Sequence, residues 1–352
     1  THKYKPLKIV PIYSLGLHCQ AKRIEPNAIA SPSPDIQYPT VNSSNSPNLQ
    51  QSIRQHQERL LKQTERFLQG EVLLASIREA FLATPRHQFT PRFSDGRPGL
   101  WSDVGEPLLL EHLDTLYADQ PFCIYRNEHG DVVSTISQPS LVIYMLHLLE
   151  LELGMSVFEL GGGSAWNAAL TGRVIGSEGH VFSVEVEAAL IENAQQALND
   201  SCIENVSLIS GDAMLGLSKH GPFDRGIFTA SAWDLPTVFF DQIKDGGLLL
   251  FVLKFSDEFD LLTALRKTPD AFVSELHFPC RFVPIAGKHA LDPETPTSES
   301  ERAFKHWLAA KGLEPDALNL TIQRANKSID LPSNAHRYTR EGCSFTWSYP
   351  YR

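Results

Sequence analysis

The sequence predicts an α/β protein built on a doubly wound parallel sheet with helices on both faces. Two observations predict this fold. Short apolar strands alternate with helices from residue 139 to residue 253, and the connections between them are short. A run of three glycines also joins one buried strand to the helix that follows it. A chain of 352 residues with 42% hydrophobic and 20% charged residues has the composition of a globular protein with one large domain or two modest ones.

Each element of the alternation has its own local signal. The first helix, SLVIYMLHLLEL, carries leucine and methionine side chains at helical spacing along one face. Apolar runs of strand length follow at MSVFEL (155–160), HVFSVE (180–185), VSLIS, RGIFTA (225–230) and GLLLFVL (247–253). Between the strands, helices are predicted at SAWNAALTGRVIG, AALIENAQQALND and TVFFDQI.

Two regions precede this core, which we bound at residues 131–287. Residues 1–50 are rich in Pro, Ser and Asn and show no hydrophobic period, so they are predicted to form an extended or disordered arm. Residues 51–130 are predicted to form a helical or lid region. Their helical signals are QSIRQHQERLLKQTERFLQG, which ends near Gly70, and VLLASIREAFLAT, which Pro85 stops.

Residues 288–352 form a predicted C-terminal extension. It opens on the Pro-rich stretch LDPETPTSES and continues into a capped helix. Ser298 and Glu301 match a capping box, in which each side chain satisfies a free backbone N–H group, and Gly312 is a plausible C-cap.

Charge and cysteine usage exclude several classes of function. A net charge of −10, with a pI near 5.7, disfavours binding to nucleic-acid phosphates. Five scattered cysteines without a C-x-x-C pair argue against a disulfide framework and a zinc site, and predict reduced thiols in the cytoplasm. The thirteen histidines show no metal-ligand spacing, so no metal is assigned. The sequence contains no apolar run near the ~20 residues of a membrane span, so no membrane partner is expected.

The glycine run FELGGGSAWNAA is the first candidate site. Glycine lets the backbone turn tightly and approach a ligand, although Gly161 and Gly163 could also serve only a tight connection. Glu185 ends the next strand a little over 20 residues later, where a carboxylate can accept hydrogen bonds from ribose hydroxyls. This spacing fits both NAD and an adenosyl ligand. However, Trp166 stands where the pyrophosphate-binding pattern G-x-G-x-x-G requires its third glycine.

The acidic residues of the same strands favour the adenosyl ligand. Asp212 follows the third strand, at the end of the sheet where ligands of doubly wound folds bind. Together with Glu159 and Glu185 it predicts three carboxylates around one crevice. Such a crevice repels a pyrophosphate and suits a cationic ligand that carries hydroxyl and amine groups, such as S-adenosylmethionine.

The stretch VVSTISQPSLV raises a separate question. Thr135 and Ser137 precede Gln138 and Pro139 at the mouth of an apolar helix. Their hydroxyls could cap the free backbone N–H groups of that helix, as Ser and Thr commonly do ahead of a proline. They could equally face a bound ligand, and the pattern alone leaves both possibilities open.

Over residues 55 to 287 the chain resembles the protein-L-isoaspartate (D-aspartate) O-methyltransferases. The resemblance is carried, in order, by VLLASIREAFLATPRHQFTP, STISQPSLV, FELGGGSAWNAAL, VFSVEVEAALIENA, SGDA, PFDRGIFTASAWDLP, IKDGGLLL and RFVPI. It implies a Rossmann-like methyltransferase fold with S-adenosylmethionine as cofactor and S-adenosylhomocysteine as product. It also implies that Ser137 is the catalytic residue and that Thr135 lies beside it.

The resemblance further implies which residues hold the methyl donor. They are Ser134, Gln138, Glu159, Gly161, Gly163, Asn167, Glu185, Val186, Asp212, Ala213 and Thr229. The reaction implied is methyl transfer to an isoaspartyl or aspartyl carboxylate of a protein or peptide. An ionised carboxylate needs no general base to attack a sulfonium methyl, so a hydroxyl that orients it suffices.

The chain departs from the family pattern on the acceptor side. CIYRNEHGDVV is a long lead-in to the serine motif, Lys254 and Phe255 stand where Pro-Val-Gly is usual, and Ala165 replaces the last glycine of the loop. Three functions therefore stay open: repair of isoaspartyl residues in damaged proteins, esterification of an aspartate in one dedicated peptide, and non-catalytic regulation by S-adenosylmethionine binding. The intact Ser137 argues against the third.

Overall fold

The computed structural model describes residues 47–68, 70–94, 100–105, 109–256, 259–287, 299–312, 314, 317–325, 335–340 and 342–348. Most of the predicted N-terminal arm and Ser298 of the predicted capping box lie outside these residues. The helices are α1 (Pro47–Thr64), α2 (Ala75–Ala83), α3 (Leu109–Leu116), α4 (Pro139–Leu148), α5 (Trp166–Ile175), α6 (Ala188–Asp200), α7 (Phe239–Gln242) and α8 (Glu299–Lys311).

The strands alternate with these helices through the middle of the chain. They are β1 (Arg92–Phe93), β2 (Ser102–Asp103), β3 (Phe122–Arg126), β4 (Val132–Ile136), β5 (Ser156–Leu160), β6 (His180–Glu185), β7 (Val206–Ser210), β8 (Phe223–Phe228), β9 (Ile243–Lys254), β10 (Asp260–Lys267), β11 (Ala271–Cys280), β12 (Asn319–Arg324), β13 (Ala335–Arg340) and β14 (Cys343–Ser348). Single 3-10 turns cover Arg86–Phe89 and Ala213–Leu215.

One ten-stranded sheet organises the molecule. Its order is β13-β14-β12-β11-β10-β9-β8-β5-β6-β7, and the five strands from β9 to β7 are parallel. The chain runs outward through β5, β6 and β7 and then returns to place β8 on the other side of β5. The strand order therefore reverses between β5 and β8, and a crevice opens at the carboxyl ends of the strands at such a reversal.

The predicted doubly wound α/β fold is confirmed, and its strands are buried as their composition indicates. Phe158 of β5, Ile227 of β8 and Leu250 of β9 are all fully buried. Central parallel strands are covered on both faces, so they read as continuous apolar runs rather than as an alternating pattern.

Half of the sheet differs from the prediction of an all-parallel arrangement. β9, β10 and β11 form an antiparallel meander, and β12, β14 and β13 continue the sheet antiparallel beyond it. The segment from residue 288 onward thus adds strands to the central sheet. Its aromatic side chains enter the core: Trp347 is fully buried and stacks on Phe304 of α8 at a ring distance of 5.3 Å.

Several predicted boundaries move. α1 begins at Pro47, inside the predicted arm, and ends at Thr64, before the predicted end near Gly70. The helix predicted at TVFFDQI is only the four residues of α7, because β9 already begins at Ile243. Gly312 follows α8 with a φ of +61° and thus confirms the predicted C-cap.

Candidate functional site

A cleft opens at the strand reversal. It holds about 820 Å³ of space when counted out to its open mouth. Its walls are the ends of β4, β5, β6 and β8, the turns that follow β5 and β7, and the segment 283–286.

The glycine turn after β5 forms the floor of the cleft. Gly161 has a φ of +90°, and a Cβ there would lie 2.5 Å from the Thr229 Oγ1. That hydroxyl is fixed, since it lies 2.8 Å from the carbonyl oxygen of Leu160 and 2.6 Å from that of Gly161. Both the backbone conformation and the close contact therefore require glycine at residue 161.

The rest of the turn is equally compact. Gly163 has a φ of +52°, and a Cβ there would lie 3.4 Å from the Ser134 Oγ, so β4 lies directly over the turn. Ala165, which precedes α5, has a φ of +63° and is fully buried. A left-handed residue is thus retained where the family pattern has glycine.

Glu185 closes one side of the turn. Its Oε2 accepts a hydrogen bond from the Gly163 N–H at 2.6 Å, and its Oε1 accepts one from the Glu187 N–H at 2.8 Å. Burial raises the pKa of this carboxyl, and the two backbone N–H groups oppose that shift. The carboxylate is therefore held in one orientation at the cleft wall.

Glu159 lies beneath the cleft and does not line it. It is 1% exposed, and its carboxyl oxygens accept hydrogen bonds at 2.5 Å from the Asn167 Nδ2 and the Ser183 Oγ. Burial raises its pKa from 4.5 to about 7. The predicted ring of three carboxylates is therefore two carboxylates in the cleft wall and a third below it, where it orients Asn167.

The far end of the cleft is formed after β7. Asp212 accepts a hydrogen bond from the Met214 N–H at 3.0 Å and thereby begins the turn Ala213–Leu215. Val186 lines the same end of the cleft and is 38% exposed. A Cβ at Gly287 would lie 3.3 Å from both the Asp212 Oδ2 and the Val186 Cγ2, so the chain after β11 meets this end of the cleft.

The segment 283–286 also lines the cleft, although no site residue was predicted there. Ser231 donates its N–H to the carbonyl oxygen of Val283 at 2.8 Å and accepts the N–H of Ile285 at 2.9 Å. These bonds hold an apolar segment beside the cleft, at the end of the parallel strand β8. RFVPI was the available signal, because it is one of the stretches that carry the family resemblance.

The helix that follows the serine motif is not capped by Thr135 or Ser137. Asp119, from a distant turn, accepts the Ser140 N–H at 2.9 Å and the Ser140 hydroxyl at 2.7 Å. Gln138 donates its amide to the same carboxylate at 3.1 Å. The hydroxyl-bearing residues Thr135 and Ser137 instead line the cleft, whereas Gln138 does not.

The structure thus brings eleven of the thirteen predicted site residues to one cleft. They are Ser134, Thr135, Ser137, Gly161, Gly163, Asn167, Glu185, Val186, Asp212, Ala213 and Thr229. Gln138 and Glu159 lie outside the lining because each is engaged by a buried hydrogen-bond network. Trp166, which breaks the dinucleotide pattern, also lines the cleft and donates its Nε1–H to the Thr84 carbonyl at 3.0 Å.

Two absences concern the residues that the structure describes. Within them, no cluster of three or more His, Cys, Asp or Glu side chains has an arrangement that could bind a metal ion. None of the helices within the described ranges combines the length and the apolar composition needed to cross a membrane.

Solved structures resemble this fold. One protein-L-isoaspartate O-methyltransferase superimposes with a TM-score of 0.57 over 84% of this chain and 88% of its own, at 23% identity. The structure of a putative protein-L-isoaspartate O-methyltransferase from Plasmodium falciparum, in complex with S-adenosyl-L-homocysteine, gives a TM-score of 0.50 over 66% of this chain and 98% of its own, at 16% identity. The fold is therefore that of the S-adenosylmethionine-dependent methyltransferases.

Sequence comparison identifies the family. The family model for protein-L-isoaspartate (D-aspartate) O-methyltransferase matches residues 106–290. The protein-L-isoaspartate O-methyltransferase of Methanothrix thermoacetophila is 34% identical over 66% of this chain and 95% of its own, and that of Pyrococcus horikoshii is 32% identical over 65% and 93%. The chain belongs to the protein-L-isoaspartate (D-aspartate) O-methyltransferase family.

Membership confirms the predicted resemblance, the enzyme class and the cofactor. The chain is a protein carboxyl O-methyltransferase of the S-adenosylmethionine-dependent kind. The comparisons favour neither the dedicated peptide-modifying enzyme nor the non-catalytic regulator.

Proposed function

We propose that this enzyme transfers the methyl group of S-adenosylmethionine to the free carboxylate of isoaspartyl residues in proteins and peptides. One observation carries the proposal: Ser137 lines the same cleft as the glycine turn, Glu185 and Asp212. A site for a cationic adenosyl ligand and a group that can orient an acceptor carboxylate therefore share one cavity.

The cleft residues fit the methyl donor. A cradle without side chains at Gly161 and Gly163 admits a ligand close to the backbone, and added Cβ atoms there would narrow it. Glu185, held by two backbone N–H groups, has the position expected for binding ribose hydroxyls. The exposed Val186 and the turn from Ala213 supply apolar surface for a purine ring.

Methyl transfer to a carboxylate requires the protein mainly to orient the two reactants. When bound, S-adenosylmethionine supplies a methyl group on a positively charged sulfur, which an ionised carboxylate can accept without losing a proton. Ser137 donates its hydroxyl hydrogen to one acceptor oxygen and leaves the other directed at the methyl position. Proximity and orientation of this kind account for large accelerations without a general base. The apolar residues Val283 and Ile285 limit water at the acceptor, which keeps the carboxylate weakly solvated.

The remaining features of the proposal concern partners and location. The acidic balance of the chain, −10, supports a protein or peptide partner rather than a nucleic acid. Cys123, Cys202, Cys280 and Cys343 are all unpaired thiols, which supports a reducing compartment such as the cytoplasm.

Methyl transfer from labelled donor tests the function directly. The purified enzyme is given a peptide with one isoaspartyl residue, with the normal aspartyl peptide as the matched control, and donor affinity is measured in parallel by calorimetry. We expect label on the isoaspartyl peptide only. Ser137→Ala should lower kcat by about 100-fold, in the range of a lost orienting group, and leave donor affinity within about threefold.

Two outcomes would overturn the proposal. Donor binding without transfer to any isoaspartyl peptide would identify an enzyme for one dedicated acceptor. If the protein bound neither S-adenosylmethionine nor S-adenosylhomocysteine, the assignment of the cofactor would be wrong.

A further inference from the structure

Arg86 is a buried cation that binds main-chain oxygens. It is 1% exposed, and its guanidinium donates to the carbonyl oxygens of Leu116 at 2.7 Å and Gln120 at 3.0 Å. It also donates to the carbonyl oxygens of Ile136 at 3.1 Å and Ser137 at 2.8 Å. Three separate segments of the chain therefore meet at one side chain, and one of them carries the serine of the cleft.

Burial of the Arg86 guanidinium costs free energy, as the shift of its pKa shows. Burial lowers the pKa of Arg86 from 12.5 to about 9, because desolvation disfavours the charged form. The rings of Phe122 and Trp166 lie 5.0 Å and 5.6 Å from its guanidinium carbon and stabilise the cation. A planar group with five N–H donors can bind carbonyls of two segments at once, which a lysine ammonium cannot do with the same geometry.

Asp119 fixes the chain on the other side of Ser137. Its carboxylate accepts the backbone N–H and the hydroxyl of Ser140, the Gln138 amide, and the guanidinium of Arg66 at 2.6 Å. Asp119 belongs to the same turn that supplies the carbonyl oxygens of residues 116 and 120 to Arg86. The turn 116–120 therefore takes part in the hydrogen bonds of Arg86 and also in those of Asp119.

We propose that Arg86 and Asp119 are positioning residues for the reaction, which together we term the 86–119 clamp. Arg86 holds the carbonyl of Ser137, and Asp119 holds Gln138 and Ser140, the residues on either side of Pro139, so the main chain around Ser137 is fixed. The Ser137 hydroxyl forms no hydrogen bond with another described residue. The residue is therefore positioned in the cleft by its held main chain rather than by a side-chain hydrogen bond. The inference rests on the proposed role of Ser137 in the reaction.

The test compares Arg86→Lys with a matched control, Arg225→Lys. Arg225 is also buried and also binds main-chain oxygens, at Leu149 (2.5 Å) and Glu150 (3.0 Å), but it does not line the cleft or contact residues 135–138. Both variants replace a buried guanidinium, which binds several carbonyl oxygens, by an ammonium group. Any loss of activity through general loosening of the fold should therefore appear in both.

We expect Arg86→Lys to lower kcat by about 10- to 100-fold, because a displacement of about 1 Å at a reacting group has this effect. Donor affinity by calorimetry should stay within about threefold, and Arg225→Lys should keep its kcat. Asp119→Asn, which keeps one acceptor oxygen, should fall between the wild type and Arg86→Lys. Arg86→Met should lose more activity than Arg86→Lys, because it removes every donor.

A double variant makes the inference refutable. If Arg86 acts through the hydroxyl of Ser137, then Arg86→Lys added to Ser137→Ala should lower kcat by less than about threefold further. An equal loss in both backgrounds, or equal kcat values for Arg86→Lys and Arg225→Lys, would overturn the 86–119 clamp and leave the proposed function standing. A fully active Ser137→Ala would instead overturn the role of Ser137, and the clamp with it.

Discussion

Replacement of Glu159 by glutamine should remove a defined part of the pH dependence of stability. Glu159 is 1% exposed and is bound only by neutral donors, the Asn167 amide and the Ser183 hydroxyl. Burial raises its pKa from 4.5 to about 7. Glutamine has the same shape and can accept the Asn167 bond and donate to the Ser183 oxygen, so Glu159→Gln should fold.

The magnitude follows from the shift. The native carboxyl binds its proton up to about pH 7, whereas the unfolded one releases it near pH 4.5, a difference of about 2.5 units. Each unit corresponds to about 1.4 kcal/mol, so the native state loses about 3.5 kcal/mol relative to the unfolded state as the pH rises through the whole window. The contribution is fully present below pH 4.5 and absent well above pH 7.

Urea unfolding at pH 5, 6, 7 and 8 measures the free energy of unfolding of the wild type and of Glu159→Gln. His87 and His277 give an opposite slope, since burial lowers both pKa values to about 4 and their neutral native forms favour folding as the pH rises from 4 to 6.5. That slope is common to the two proteins and cancels in their difference. From pH 5 to pH 8, Glu159→Gln should therefore gain about 2.5 kcal/mol over the wild type, since part of the window lies below pH 5.

Parallel pH profiles for the two proteins would refute this reasoning. They would mean that Glu159 is already ionised at pH 5 in the native state. In that case the hydrogen bonds from Asn167 and Ser183 outweigh desolvation.

Three further experiments, each measured by urea unfolding, probe separate parts of the structure. Gly161→Ala should cost at least about 1–2 kcal/mol because of its left-handed backbone, whereas Gly211→Ala, with no atom within 4 Å of the added Cβ, should stay within about 0.5 kcal/mol. Trp347→Ala should cost about 3–5 kcal/mol, since the side chain is fully buried, and should leave donor affinity unchanged. Lys254→Met should cost about 3–5 kcal/mol by removing the ammonium 3.1 Å from the buried Asp260 carboxylate, which leaves only the more weakly interacting Arg281 as a nearby cation. The double variant Lys254→Met with Asp260→Asn should recover part of this loss.

For each of these predictions, one outcome would contradict the reasoning. Equal stability of the two glycine variants would show that residue 161 tolerates a side chain. A loss below about 1 kcal/mol for Trp347→Ala would mean that the C-terminal strands add little to the core. No recovery in the double variant would mean that the loss in Lys254→Met does not come from the uncompensated charge of Asp260, because asparagine can still accept the Phe282 N–H.

The parallel half of the sheet was predictable because its signals are local. β5, β6 and β9 are short apolar runs, and the glycines after β5 mark a turn that few other residues can make. The same local spacing predicted Glu185 at the end of β6. Side chains at the carboxyl ends of neighbouring parallel strands meet at one edge, so the cleft followed from the order of the motifs.

The antiparallel half was not predictable in the same way. β10 and β11 are an apolar hairpin in a stretch that offered no alternation with helices. β12, β13 and β14 join the sheet only through pairing between distant parts of the chain, as between Phe272 and Ile322. Pairing of this kind depends on the whole fold, and no periodicity within either segment specifies it.

Long-range polar contacts were equally hidden from the sequence. Asp119 binds the start of α4 from 21 residues away, and Arg86 reaches the Ser137 carbonyl across 51 residues. In the sequence, Thr135 and Ser137 were the natural candidates for capping α4. In the structure, the Asp119 carboxylate instead binds the Ser140 N–H at the start of α4, and Thr135 and Ser137 line the cleft.

The position of β12 in the sheet has a consequence during synthesis. β11 leaves the ribosome before residues 319–348 exist, so the nascent chain carries the backbone N–H and C=O groups of residues 271–273 without their partners on β12. An open strand edge of this kind is a template for pairing with other chains. Truncation at residue 287 would make that transient state permanent, and the shortened protein should self-associate through β11 even where its cleft is intact.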